Sequence, residues 1–120
     1  MRQLRVAAVN LPILLLDIVR DTVEANGLAR IVCATDGPID LERCIERHRP
    51  EIVLLGFDNE GELGELSQLL RRRHGGLRLV GIERSGRRMV RLTKAEADLD
   101  GSEELTPECL RDALLDAAHG

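Results

Sequence analysis

The stretch Arg49-Pro50-Glu51-Ile52-Val53-Leu54-Leu55-Gly56-Phe57-Asp58-Asn59-Glu60-Gly61 decides how the whole 120-residue chain is read. Ile52 to Leu55 is its most continuous apolar run. A strand that is apolar at successive positions is covered on both faces, which suits the centre of a parallel sheet. Pro50 ends whatever precedes it, and Gly56 closes the run at the carboxyl end. In open α/β sheets that is the edge where ligands gather, and there the sequence offers a residue with no side chain.

Working outward, Leu4-Arg5-Val6-Ala7-Ala8-Val9 reads as a first strand of the same covered kind. Residues 12–25 place Leu14, Leu15, Ile18, Val19, Thr22 and Val23 at helical spacing with charged residues between them, and Asn26-Gly27 supplies the stop. Residues 29–34 are a second strand closed by Asp36-Gly37-Pro38. Asp40 caps a short helix carrying Leu41, Cys44 and Ile45. Beyond Gly56, Leu63, Leu66, Leu69 and Leu70 mark a third helix ending near Gly75-Gly76, and residues 77–82 a fourth strand. Thr106-Pro107-Glu108 is a helix start, with Thr as N-cap, Pro at the first helical position and Glu at the positive dipole end.

Strands alternating with helices imply right-handed βαβ crossovers. The expected class is α/β, a doubly wound, flavodoxin-like parallel sheet with helices on both faces. Residues 84–104 break the rule. Arg87 to Thr93 alternates like a strand where a crossover helix is due, and Ala95 to Asp100 alternates again. A β-hairpin or an added antiparallel edge is expected in place of the helix before the end of the sheet, with arginines facing Glu96, Asp98 or Asp100 across the pair.

Length bounds the chain to one domain over residues 1–120. The apolar cluster around Leu11–Leu16 is cut by Asp17 and Arg20, short of the roughly 20 residues a membrane span needs. No signal-peptide pattern opens the sequence. A cytoplasmic protein without membrane attachment is the expectation. Cys33, Cys44 and Cys109 are odd in number and widely spaced, which argues for buried thiols rather than a disulfide framework or a metal site. No metal or cofactor is expected. Phe57 is the sole aromatic residue, so stacking platforms for single-stranded nucleic acid are missing.

The net charge of −4 is unevenly spread: −5 over residues 1–70, +8 over 71–94 and −7 over 95–120. Adjacent blocks of opposite sign read either as two binding surfaces or as segments neutralising each other.

Several phrases resemble the receiver domain of bacterial response regulators. Arg5-Val6-Ala7-Ala8-Val9 with Asn10-Leu11-Pro12 is similar to the first strand and its loop, Ala34-Thr35-Asp36-Gly37 to the turn after the second strand, and Arg49 to Leu55 to the third strand. Gly64 falls where the family has a glycine opening the third helix. The likeness covers about residues 4–82 and 106–118. It implies phosphoryl transfer to an aspartate ending the third strand, with an acidic pair holding Mg²⁺, a Ser or Thr after the fourth strand and a Lys after the fifth.

Carried over residue by residue, the acidic pair falls on Asn10 and Leu11, the phosphoacceptor on Gly56 and the Ser/Thr on Glu83. Lys94, the only lysine, comes too early for the family's spacing. The resemblance therefore implies a pseudo-receiver with a retired phosphorylation pocket and no catalytic residue. Its expected role is signalling by contact with a protein partner or by self-association as a homodimer, through the divergent segment: Arg87, Arg88, Arg91, Glu96 and Asp98. Leu11, Ile13 and Leu14 either offer a partner patch or plug the former pocket against Phe57. Two alternatives stand beside it. Asp36, Asp58, Glu60 and Glu83 gather at one sheet edge as a cation site, with Asp58 as a relocated phosphoacceptor, or the basic block 71–94 binds nucleic acid. Against the latter stand the negative net charge and the lack of a recognition-helix motif.

Overall fold

The apolar run is a strand buried at all of its six positions, β3 (Ile52–Phe57). In a computed structural model, which describes residues 3–25, 27–92 and 102–119, it lies between β1 (Leu4–Val9) and β4 (Arg78–Glu83), parallel to both. β2 (Ala29–Thr35) pairs parallel to β1 and forms one edge. The crossovers are α1 (Ile13–Glu24), α2 (Pro38–His48) and α3 (Glu60–Arg73).

After β4 the pattern changes as expected, an antiparallel strand standing where a crossover helix was due. The turn 84–87, with Gly86 at φ +80°, leads straight into β5 (Arg88–Leu92), antiparallel to β4. On its other side β5 pairs antiparallel with β6 (Ser102–Glu104), ahead of α4 (Pro107–His119). Among the described residues the sheet order is β2-β1-β3-β4-β5-β6. The sheet is thus mixed rather than wholly parallel. Glu96, Asp98 and the alternation at 95–100 lie outside the described residues; among the described residues, β5 sets Arg88↔Glu104 and Met89↔Glu103 in register with β6.

Two cores sandwich the sheet. Val6, Ala8, Ile52, Leu54, Val80, Ile82 and Met89 pack under α1 and α4. Ala7, Val9, Val53, Leu55, Phe57, Val90 and Leu92 pack under α2 and α3. Strand periodicity of two assigns neighbours to opposite cores, which is why both faces of β3 had to be apolar.

Local chemistry sets the helix boundaries. Thr106 caps α4 through the Cys109 N–H (3.1 Å) and Asn59 caps α3 through the Glu62 N–H (2.9 Å). α2 begins two residues before Asp40, at Pro38 after Gly37, because proline at the first position needs no N–H partner. Gly64 sits one turn inside α3 rather than opening it. Arg49, in the left-handed conformation, ends α2.

Where α2 meets the end of α3, Glu42 accepts from Arg73 at 3.3 Å and lies 3.0 Å from His74 Nε2. The His74 hydrogen bond, assisted by the charge of Arg73, holds the Glu42 carboxyl below its ordinary 4.5. A depressed carboxylate stabilises the fold above its unfolded pKa and loses that contribution as pH falls through the folded value. Glu42→Gln is therefore expected to lower stability by about 0.5 kcal/mol near neutrality. In urea titrations at stepped pH, that difference should vanish below the carboxylate range.

Candidate functional site at the carboxyl edge

The carboxyl edge is built by the ends of β1, β3 and β4 and the loops that follow them. Asn10, directly after β1, has φ +60°, a conformation asparagine tolerates better than most residues. Its N–H donates to Thr35 O (2.9 Å), and its side-chain Oδ1 accepts from the Gly37 N–H (3.1 Å). These bonds tie the first loop to the turn after β2. They also direct the Asn10 carbonyl across the end of β3.

That carbonyl explains Gly56. A Cβ on residue 56 would stand 2.3 Å from Asn10 O, 2.7 Å from Asn10 C and 3.1 Å from Leu11 Cδ2. Backbone, not a yielding side chain, fills the space, so residue 56 must be glycine while this loop keeps its path. Leu11 is buried over the same spot. It joins the core beneath α1 and α4, on the opposite face of the sheet from Phe57, so it plugs the edge without packing against Phe57.

Glu83, at the end of β4, is engaged locally. It accepts from Ser85 Oγ and from Arg88 Nε at 2.8 Å. These two hydrogen bonds, Ser85 first, keep its carboxyl below the ordinary value. Asp58 is exposed and faces Arg84 at 3.6 Å, while the Arg84 N–H donates to Phe57 O. Asp36 and Glu60 are also exposed at this edge. Among the described residues, no three His, Cys, Asp or Glu side chains converge as a metal-binding group.

Four arginines of the basic block are matched by acids. Arg73 meets Glu42, Arg84 meets Asp58 and Arg88 meets Glu83. Arg91 bridges two elements, its Nε 3.0 Å from Glu103 on β6 and its Nη1 bonded to Asp116 on α4. Arg87 contributes its positive charge beside Glu83. The arginines named as a partner surface are thus engaged within the fold, apart from Arg87 at the turn.

Sequence reasoning missed three features. Gly81 is a second closely packed glycine: a Cβ there would meet the Leu63 methyls at 2.9 Å and Phe57 at 3.2 Å, so these side chains would have to shift to admit it. A glycine inside an apolar strand is the signal that pointed to it. Leu14 and Ile18, which helical spacing placed with Val19 and Val23 on one apolar stripe, are 79% and 63% exposed, as is Ile13, so of the two readings of Ile13 and Leu14 the exposed patch fits them. Leu14 and Ile18 border a groove of about 460 Å³ between α1 and the start of α4, lined also by Leu15, Gly86, Leu105 and Pro107. Cys33 and Cys44, expected as separate buried thiols, face each other as a disulfide pair with Cα atoms 6.4 Å apart. Their separation of 11 residues hid this, because strand and helix bring them together only in the fold.

Among the described residues, no helix is long and apolar enough to cross a membrane. The sequence matches no protein-family model and no curated protein. Among solved structures, the RcsB response regulator of Salmonella typhimurium, studied for its conformational dynamism in DNA interaction, is similar to it over 98% of this chain and 50% of its own. The TM-score is 0.59 and the sequence identity 11%. The chain spans half the length of that regulator, and at this identity the likeness is one of fold: the chain has a receiver-like fold.

Proposed function

We propose that the chain is a noncatalytic receiver-like signalling module, independent of phosphorylation, which regulates through contact with a protein partner or a second copy of itself. One observation carries the reading: the position of a phosphoacceptor is Gly56, and the Asn10 carbonyl leaves no room for a side chain there. Asn10, Leu11, Gly56 and Glu83 are then a vestigial phosphorylation pocket. Leu11 covers the place of a cation, and Glu83 adds negative charge where phosphoryl oxygens would need a donor. No cofactor is required.

Contact as the mode of action is supported by the exposed Ile13, Leu14 and Ile18, since apolar side chains gathered on one surface commonly mark interaction sites. The internal pairing of Arg73, Arg84, Arg88 and Arg91 weakens the case for nucleic acid, because phosphate recognition draws on cations that acids have not already neutralised.

The test is an amide NMR titration with Mg²⁺ and beryllofluoride, a phosphoryl mimic. Unchanged resonances at Asn10, Gly56, Asp58 and Glu83 are the expected outcome. Saturable shifts centred on Asp58 would replace this reading with a relocated switch, in which breaking the Arg84 pair at 3.6 Å frees the carboxylate.

A further inference from the structure

We propose that Cys33 and Cys44 form a reversible thiol–disulfide switch that fastens α2 to the edge of the sheet and stiffens the turn between β2 and α2. Cys33 lies on β2, the edge strand, and is half-buried; Cys44 lies on the buried face of α2. Their Cα separation of 6.4 Å falls within the range that a disulfide spans without backbone movement. Cys109, on α4, is free.

The pair is also reachable. An open cleft of about 440 Å³ reaches both cysteines and is lined also by Asp36, Asp40, Arg43 and Arg47. The thiolate is the form that attacks a disulfide. The oxidant is a low-molecular-weight disulfide. The Cys33 thiolate attacks one of its sulfurs, forming a mixed disulfide and releasing one thiol. The Cys44 thiolate then attacks Cys33 Sγ, closing the protein bridge and releasing the second thiol. Two electrons and two protons pass from the cysteines to the reagent, and excess small thiol reverses both steps.

The consequence is local. The bridge encloses the end of β2, the Asp36-Gly37 turn and the first turn and a half of α2. Gly37 is the residue whose N–H holds Asn10 Oδ1, so the enclosed turn is tied to the loop covering Gly56. In the reduced protein, α2 keeps its apolar contacts through Leu41 and Ile45 but loses the covalent anchor.

The experiment equilibrates the full chain in buffers of reduced and oxidised glutathione, traps free thiols with iodoacetamide and reads intact and peptide masses. Three alkylated cysteines in reducing buffer, and Cys109 alone in oxidising buffer, are expected. In the oxidised form, amide exchange across residues 34–43 should slow about tenfold, since opening of this segment then works against a closed covalent loop. Cys33→Ser should abolish the difference and Cys109→Ser should preserve it. Should Cys33→Ser fail to fold, the wild-type comparison between the two buffers still decides. Alkylation of Cys33 and Cys44 in the most oxidising buffer would overturn the proposal. A bridge that resists a large excess of reduced glutathione, or one that leaves exchange at 34–43 unchanged, would overturn it too.

Discussion

Gly56→Asp is expected to lose about 3–5 kcal/mol of stability and to gain no phosphorylation. A Cβ 2.3 Å from a backbone carbonyl cannot be absorbed by a side-chain rotation. The loop after β1 must move, and overpacking of this kind costs about 1–3 kcal/mol by itself. A carboxylate pressed against the Asn10 carbonyl and the Leu11 side chain adds the cost of a charge without a partner. Gly56→Ala carries the steric part alone, so it should lose about 1–3 kcal/mol in urea unfolding.

Second-site variants separate backbone from side chain. Asn10→Gly keeps the positive φ and releases the side-chain tie to Gly37, so it should recover about 1 kcal/mol of the Gly56→Ala loss. Leu11→Ala removes only the contact at 3.1 Å and should not rescue. A Gly56→Ala protein as stable as wild type would mean that the first loop does not lie across β3.

Much of this architecture was legible because covered strands and amphipathic helices write their periods into the chain. Ile52 to Leu55 announced a strand buried on both faces, and Thr106-Pro107 fixed the start of α4 to the residue. What stayed hidden has a common cause: it depends on contacts between distant residues. Helical spacing in residues 12–25 could not tell that the sheet needs only Val19, Val23 and their half-buried neighbours, leaving Leu14 and Ile18 outside. The charge blocks left open whether the arginines form a surface or are neutralised within the fold; Arg91 reaches Glu103 and Asp116 of the acidic block, individual partners that no local pattern singles out. At Gly56 the sequence showed only a residue without a side chain at the end of the central strand. Only the fold shows why glycine must be there, since the obstructing atom belongs to Asn10, 46 positions earlier in the chain.

Met89→Asp is expected to lose at least about 4 kcal/mol, since it buries an unpartnered charge in the sheet. Met89 is fully buried, pairs with Ile82 on β4 and Glu103 on β6, and belongs to the core that includes Leu110 and Leu114 of α4. Met89→Ala should cost about 2–4 kcal/mol by leaving a cavity. Val90, the next residue, is buried in the other core with Leu63 and Leu70 of α3, and its truncation should cost about 1–3 kcal/mol. Arg88→Ala, which ends an exposed pairing with Glu83, should stay within about 1 kcal/mol. The arrangement of the losses is more telling than their size. In a strand, residues 89 and 90 point to opposite faces, so the alanine losses should add within about 0.5 kcal/mol in a double-mutant cycle. On a helix, as a regular crossover would place here, the two side chains would sit about 100° apart against one shared core, and their losses would couple. Additivity with both single losses large points to a segment with two covered faces, as a strand between β4 and β6 provides. Strong coupling, or a negligible cost at Met89, would remove β5 from the sheet and restore a helix to the segment after β4.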